Sequence, residues 1–191
     1  MDRRDANPTR SGGSEWMMII RARRPDEIDA CAAVLAEVHA ADRYPLHWPA
    51  DLSAWLMPGG LLAAWVAEHE DMVIGHVALR SATGVSAASA SIWSAATGLP
   101  PEQLAVVARL FVGPSARGHS VGAALLDEAS AAARGRGLWP VLDVLDHNRS
   151  AIALYERKGW RRVASEPVSW AQASGGQPLL HYYIAPDAPT G

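Results

Sequence analysis

The sequence predicts a mixed α/β domain of the α+β type: a mostly antiparallel sheet of about seven strands, flanked by helices, with one β-α-β crossover at its centre. Three observations carry this. Short β-rich runs alternate with helical patterns along the chain. A polar turn joins two of those runs as a hairpin. One continuous apolar run feeds directly into an Ala/Leu-rich helix, which leads to another apolar run. At 191 residues the chain suits one domain with a sizeable core. Residues 17–186 are assigned to it, with 1–16 as a disordered tail and 187–191 as a short C-terminal tail.

Composition excludes several classes. Hydrophobic residues make up 49% of the chain and the formal net charge is −3, so the basic surface that nucleic acids require is missing. No apolar run approaches the roughly 18 residues needed to cross a bilayer, and no membrane partner is expected. Cys31 is the sole cysteine, which rules out an intrachain disulfide and suits a reducing cytoplasm. The opening "MDRRDANPTRSGGSE" is polar and lacks the apolar core of a secretory signal, with Met17 or Met18 fitting a working start.

The elements follow in order. "MMIIRAR", residues 17–23, reads as a strand. Pro25, Asp26 and Glu27 then open a helix with Ile28, Cys31, Val34, Leu35 and Val38 on one face. A Pro-rich segment follows, with a short helix near Leu52–Leu56. Leu61–Glu68 and Met72–Arg80 form a hairpin across His69, Glu70 and Asp71. The stretch Ser81–Thr97 is dominated by Ala and Ser and is expected as a mobile loop. Leu104–Val112 is an apolar strand interrupted by Arg109. The helix after it ends at Arg134 and Gly135, a basic last turn and a cap glycine. "LWPVLDVL" reads as a buried strand, Arg149–Lys158 as a helix closed by Gly159, and "WRRVAS" and "LLHYYIA" as two final strands.

The turn "RGHSVG", residues 117–122, joins a buried strand to a helix. Small residues there let backbone N–H groups approach an anion, and the helix dipole adds to the attraction. A dinucleotide fingerprint fails on spacing, and a phosphate-binding Lys-Ser/Thr pair is absent. The segment resembles the acyl-CoA-binding signature of the GNAT family of N-acetyltransferases, Arg/Gln-x-x-Gly-x-Gly/Ala. Arg117 matches its first position and Gly122 its last, while Ser120 replaces the middle glycine. Serine is small and a good N-cap, so it is expected to preserve the anion site. "NRSAIALYERKGW", Asn148 to Trp160, is similar to the family's Asn-x-x-Ala-x-x-Leu-Tyr-x-x-x-Gly-Phe, with Trp160 in the phenylalanine's place.

The resemblance implies a central β-α-β acyl-CoA-binding unit. It implies that Leu110, Phe111 and Val112 pair with the pantetheine arm, one main-chain N–H there polarising the thioester carbonyl. Arg117, Gly118, His119, Ser120, Val121, Gly122 and Ala123 would wrap the pyrophosphate. Asn148 would reach the pantetheine, and Tyr155 would stand beside the sulfur. The activity implied is transfer of an acetyl group from acetyl-CoA, as cosubstrate, directly to a primary amine in a ternary complex. No metal is expected, and the assembly is left open, a homodimer included.

Such a reaction needs donors on the developing oxyanion and both substrates held together, not a nucleophilic residue. Cys31 accordingly reads as a packing residue. For Tyr155, full proton transfer from a phenol of pKa about 10 to a thiolate of pKa about 8.5 is uphill by roughly 2 kcal/mol, which favours hydrogen-bond donation. His76, directly after Gly75 in a central strand, is the candidate base, with His181, Glu102 and water in reserve. Tyr44, His47, Trp48 and Asp51 are the candidate acceptor contacts, with Trp55 as part of a packed lid. The alternative is a non-catalytic acyl-CoA-binding module on the same fold. Ser120 favours it; a tyrosine at the sulfur speaks against it.

Overall fold

The computed structural model describes residues 16–168 and 177–187. The tail expected over 1–16 therefore lies outside the described residues, except for Trp16, as do residues 188–191 of the expected C-terminal tail. In chain order the elements are β1 (Ile19–Ala22), α1 (Ile28–Asp42), α2 (Leu52–Leu56), β2 (Leu61–His69), β3 (Met72–Ser81) and α3 (Ala87–Thr97). There follow β4 (Leu104–Val112), α4 (Val121–Gly135), β5 (Trp139–Leu145), α5 (Arg149–Arg157), β6 (Arg161–Pro167) and β7 (Leu179–Ile184). The strands form one seven-stranded sheet in the order β1-β2-β3-β4-β5-β7-β6. Every neighbouring pair is antiparallel except β4–β5, the pair joined through α4. The predicted mixed, mostly antiparallel sheet with a central crossover is what forms.

One expectation is corrected. Residues 81–97 are not a loop: a 3-10 turn at Ala82–Gly84 precedes α3. The Ser86 hydroxyl caps the helix by accepting from the Ser89 N–H at 3.1 Å, and Gly98 ends it in the left-handed conformation at φ 70°. Alanine's helix propensity and these two caps outweigh the poor contribution of serine. Trp93 is fully buried from α3 against Leu104, Val106, Val141 and Tyr182, and that burial fixes the helix on the sheet.

Strand alternation divides the core into two faces. On one, Val77, Leu79, Ala105, Val107, Leu142 and Val144 pack beneath Leu125, Leu126 and Ala129 of α4, and α5 joins the same cluster. The other face is covered in two halves. Cys31, Leu35 and Val38 of α1, with Leu56 of α2, cover Val66 and Phe111, while α3 covers the far half. Between the halves a cleft opens around β4 and β5.

Gly75 sets how closely α4 approaches the sheet. A Cβ at that position would stand 3.1 Å from Leu125 Cδ1 and from the Phe111 carbonyl, and 3.3 Å from Val121 Cγ1. Gly75→Ala should therefore cost about 1–3 kcal/mol as an overpacked site. Thermal melting should fall by about 2–12 °C for a domain of this size; an unchanged melting temperature would mean that α4 shifts freely.

Among the described residues no helix is long and apolar enough to cross a membrane, and no group of three or more His, Cys, Asp or Glu is placed to hold a metal.

Candidate functional site

The two parallel strands at the centre part company early. β4 and β5 pair only over Leu104–Val106 against Trp139–Val141, so from Val107 onward β4 has no partner strand on that side. Arg109 lies in the left-handed region at φ 56°, and the β3–β4 register slips between His76 and Ala78. This is a bulge, and a bulged strand bends. A cleft of about 970 Å³ opens where the strands separate. On the α4/α5 side it is lined by Arg117, Gly118, Ser120, Val121, Gly122, Ala123, Asn148, Leu154 and Tyr155. On the α1/α2 side it is lined by Tyr44, His47, Trp55, Arg109 and Asp143.

The turn before α4 has the properties of an anion cradle. The first bond of this helix runs from the Ala124 N–H to the Ser120 carbonyl at 3.0 Å. The amides of Val121, Gly122 and Ala123 thus have no helical carbonyl to bond. Ser120 does not cap the helix as its residue type suggested. It adopts φ 62° with no side-chain bond to the turn, the geometry that glycine would take more cheaply, and the helix amides stay open to the cleft. Gly122 brings the backbone close to α5: a Cβ there would touch Leu154 Cδ2 at 3.3 Å. Arg117 is ion-paired to Asp42 at the end of α1 at 2.5 Å. Exposed pairs of this kind are worth about 0–1 kcal/mol, so the guanidinium is readily released to a phosphate. His119 is the exception among the expected pyrophosphate residues. It does not line the cleft; Trp16 stacks on its ring at 4.0 Å and on His69 at 4.4 Å.

Leu110, Phe111 and Val112 line the cleft along the unpaired edge of β4. Tyr155 is buried at 6% exposure, its ring packed against Trp160 and Tyr183, and its hydroxyl bonds to no described residue. Burial pushes its pKa above the usual phenol value. A proton donor results, not a phenolate.

His76, the expected base, is not brought to the cleft. Alternation turns it toward α1 with Phe111, on which it stacks at 5.2 Å, and it is fully buried. An Arg23 guanidinium N–H donates to Nε2 at 2.9 Å, which leaves the proton on Nδ1 to bond the Arg109 carbonyl at 2.9 Å. Burial, with the nearby guanidinium charges, lowers its pKa to about 4. His76 is a neutral brace for the Arg109 bulge. Of the reserves, His181 bonds Ser165 at 2.8 Å and, like Glu102, lies outside the cleft lining.

Of the acceptor candidates, Tyr44 and His47 line the cleft. Trp48 and Asp51 do not: Trp48 sits against His39, and Asp51 is the N-cap of α2, accepting from the Ala54 N–H at 2.9 Å. Cys31 is fully buried and its thiol is pushed up to about 11, as a packing residue should be.

The residue that sequence reasoning missed is Asp143. It interrupts the apolar strand "PVLDVL", and alternation places it on the face opposite buried Leu142 and Val144, directly in the cleft. Water reaches its carboxyl through the cleft, but the surrounding protein raises its pKa by desolvation, against the pull of Arg109 and Arg80. Its signal was an acid at an alternate position of an otherwise apolar strand. Across the cleft, burial pushes Tyr44 up to about 12.

Comparison with known proteins agrees with this fold. The model of the acetyltransferase (GNAT) family matches residues 26–160. Among solved structures, the ribosomal-protein-S18-alanine N-acetyltransferase from Escherichia coli superposes with a TM-score of 0.65 at 17% identity, over 92% of this chain and 97% of that one. Arabidopsis thaliana NAA60 in complex with acetyl-CoA gives 0.64 at 20% identity, over 88% and 98%. The ribosomal-protein-alanine N-acetyltransferase from Brucella melitensis gives 0.63 at 21% identity, over 87% and 98%. At these identities the likeness establishes the fold. A search of curated protein sequences finds no significant match.

Proposed function

We propose that this chain, which belongs to the GNAT acetyltransferase family, moves an acetyl group from acetyl-CoA directly to a primary amine of a small molecule or peptide within a ternary complex. One observation carries the reading: a single cleft through the parted strands gathers the open helix amides, Tyr155 and Asp143.

The residues present fit the cosubstrate. Val121, Gly122 and Ala123 supply unbonded N–H groups and the positive end of a helix dipole for the pyrophosphate, with Arg117 beside them. The free edge of β4 at Leu110–Val112 offers main-chain groups to the pantetheine amides and an N–H to the thioester carbonyl. Asn148 lines the same channel. Acetyl-CoA supplies the activated acyl group, so no nucleophilic residue is needed, and buried Cys31 is not one.

On the acceptor side, Asp143 takes the proton of the incoming amine as its nitrogen bonds the acyl carbon. Partial desolvation by the cleft walls makes this carboxylate more basic than a fully hydrated one. On the leaving side the carbon–sulfur bond breaks, and the Tyr155 hydroxyl donates a hydrogen bond to the departing thiolate. With its pKa raised, Tyr155 stabilises the sulfur as a donor and does not surrender its proton outright. His76 positions the site indirectly by holding the Arg109 carbonyl.

The cofactor half is tested by substitution at the cradle. Acetyl-CoA at about 100 times its Kd should stabilise the protein by about 2.7 kcal/mol. Gly122→Glu should abolish that shift by setting a carboxylate against the pyrophosphate, while Gly122→Ala, whose Cβ meets only Leu154 and Val112, should retain most of it. An unchanged shift in a folded Gly122→Glu variant would remove the phosphate site from this turn.

A further inference from the structure

Of the four arginines that line the cleft, Arg109, Arg117, Arg149 and Arg157, Arg109 stands on the acceptor side, and acetyl transfer itself does not need it. Arg109 stands in the apolar strand β4, carried into the cleft by a left-handed bulge. It is fixed at three points: its carbonyl by His76 Nδ1 at 2.9 Å, its Nε–H on the Trp55 carbonyl at 3.1 Å, and its guanidinium 4.1 Å from the centre of the Trp55 ring. Only Nε is used in hydrogen bonding among the described residues, so both Nη groups remain available as a planar fork.

Among the described residues no carboxylate forms an ion pair with it. Two acids line the cleft. Asp42 is paired to Arg117, and Asp143 forms no ion pair with Arg109, although each shifts the other's titration. Among the described residues the two opposite charges face one cavity without an ion pair, and the cation has lost part of its hydration. A partly desolvated cation left without an anion is costly unless a ligand supplies one. The stack on Trp55 and the bond to its carbonyl fix the fork in advance, which lowers the entropy cost of bidentate recognition.

We propose that the acceptor is a small zwitterionic amine, an amino-acid-like molecule whose acid group docks on the Arg109 fork while its amino group meets Asp143. This rests on the acetyl-transfer reading of the same cleft and narrows its acceptor. A site built this way discriminates strongly, because a neutral analogue leaves the half-buried guanidinium without an anion.

The test uses matched pairs: a panel of free L-amino acids, each beside its own carboxamide and its decarboxylated amine. Transfer is followed as thiol release from acetyl-CoA, and binding by calorimetry on the CoA-saturated protein. The amide's amine is the less basic and more often neutral, which biases the comparison against the expected result. At least one acid should exceed its amide in kcat/KM by about 10- to 100-fold, carried by KM, as for hydrogen bonds to a charged group. Arg109→Gln should bring that ratio to about 1, and Arg109→Lys should restore part of it. If amides match acids throughout the panel, or Arg109→Gln lowers both members of each pair equally, Arg109 only props Trp55 and the proposal is overturned. If acetyl-CoA binds but no amine is acetylated, the transfer reading fails by itself. Calorimetric preference for the acids, lost in Arg109→Gln, would then still uphold the acceptor assignment, and its absence would overturn it.

Discussion

Asp143→Asn should leave acetyl-CoA binding intact and lower kcat/KM by about 100- to 10,000-fold at neutral pH, the usual worth of a positioned base. A lysine-like amine of pKa about 10.4 is neutral in roughly one molecule in 2,500 at pH 7, so the loss should shrink as the pH nears the amine's own pKa. The wild-type rate should fall on acidification through a pKa above the ordinary aspartate value, because desolvation by the cleft walls raises this carboxyl. Its effect on stability has the opposite sense. A carboxyl whose folded pKa is raised contributes stability that is complete below the unfolded pKa and is lost as the pH rises through the folded one. Asparagine cannot ionise, so at neutral pH the variant should melt no lower than the wild type. An inactive but fully stable variant is the expected signature. Wild-type turnover under chemistry-limited conditions would hand the proton to water instead.

Tyr155→Phe should lower kcat by about 10- to 1,000-fold, on the order of 1–4 kcal/mol, as for other lost donors to a developing charge. The hydroxyl is assigned to a sulfur that is charged only as the thioester breaks, so the loss belongs in kcat and not in binding. Acetyl-CoA affinity should change by less than about threefold, or roughly 0.65 kcal/mol. The ring packs against Trp160 and Tyr183, and phenylalanine keeps both contacts, so the fold should survive. Calorimetric Kd values and single-turnover rates for both proteins decide the matter. An unchanged rate would make Tyr155 a packing residue.

Much of the architecture was legible because local signals and tertiary packing agree in it. β2, β3 and β4 alternate or run apolar between clear turns, and a 3-10 turn at Pro25–Glu27, with its proline and acids, leads into α1. α3 was missed because its Ala/Ser run has no polar face, and only the burial of Trp93 reveals its inner side. The proposed cofactor side draws on two segments, residues 117–122 and 148–160, each local in sequence, and so could be read from motifs. The proposed acceptor side is assembled from the loop at Tyr44, the bulge at Arg109 and mid-strand Asp143, residues far apart in the chain. His76 illustrates the limit of alternation. It gave the face correctly but not what covers that face, and α1 with Arg23 closes it. Asp143 was legible in principle as an acid in an apolar strand, yet its meaning depends on β4 and β5 separating just before it.

Acetyl transfer is decided by incubating purified protein with acetyl-CoA and a panel of primary amines and reading free thiol and acetylated amine together. The account predicts thiol release that depends on the amine, matched one to one by N-acetyl product, and lost in Asp143→Asn. Binding of acetyl-CoA with no amine-dependent thiol release for any acceptor would contradict it and identify the chain as an acyl-CoA-binding module without transfer.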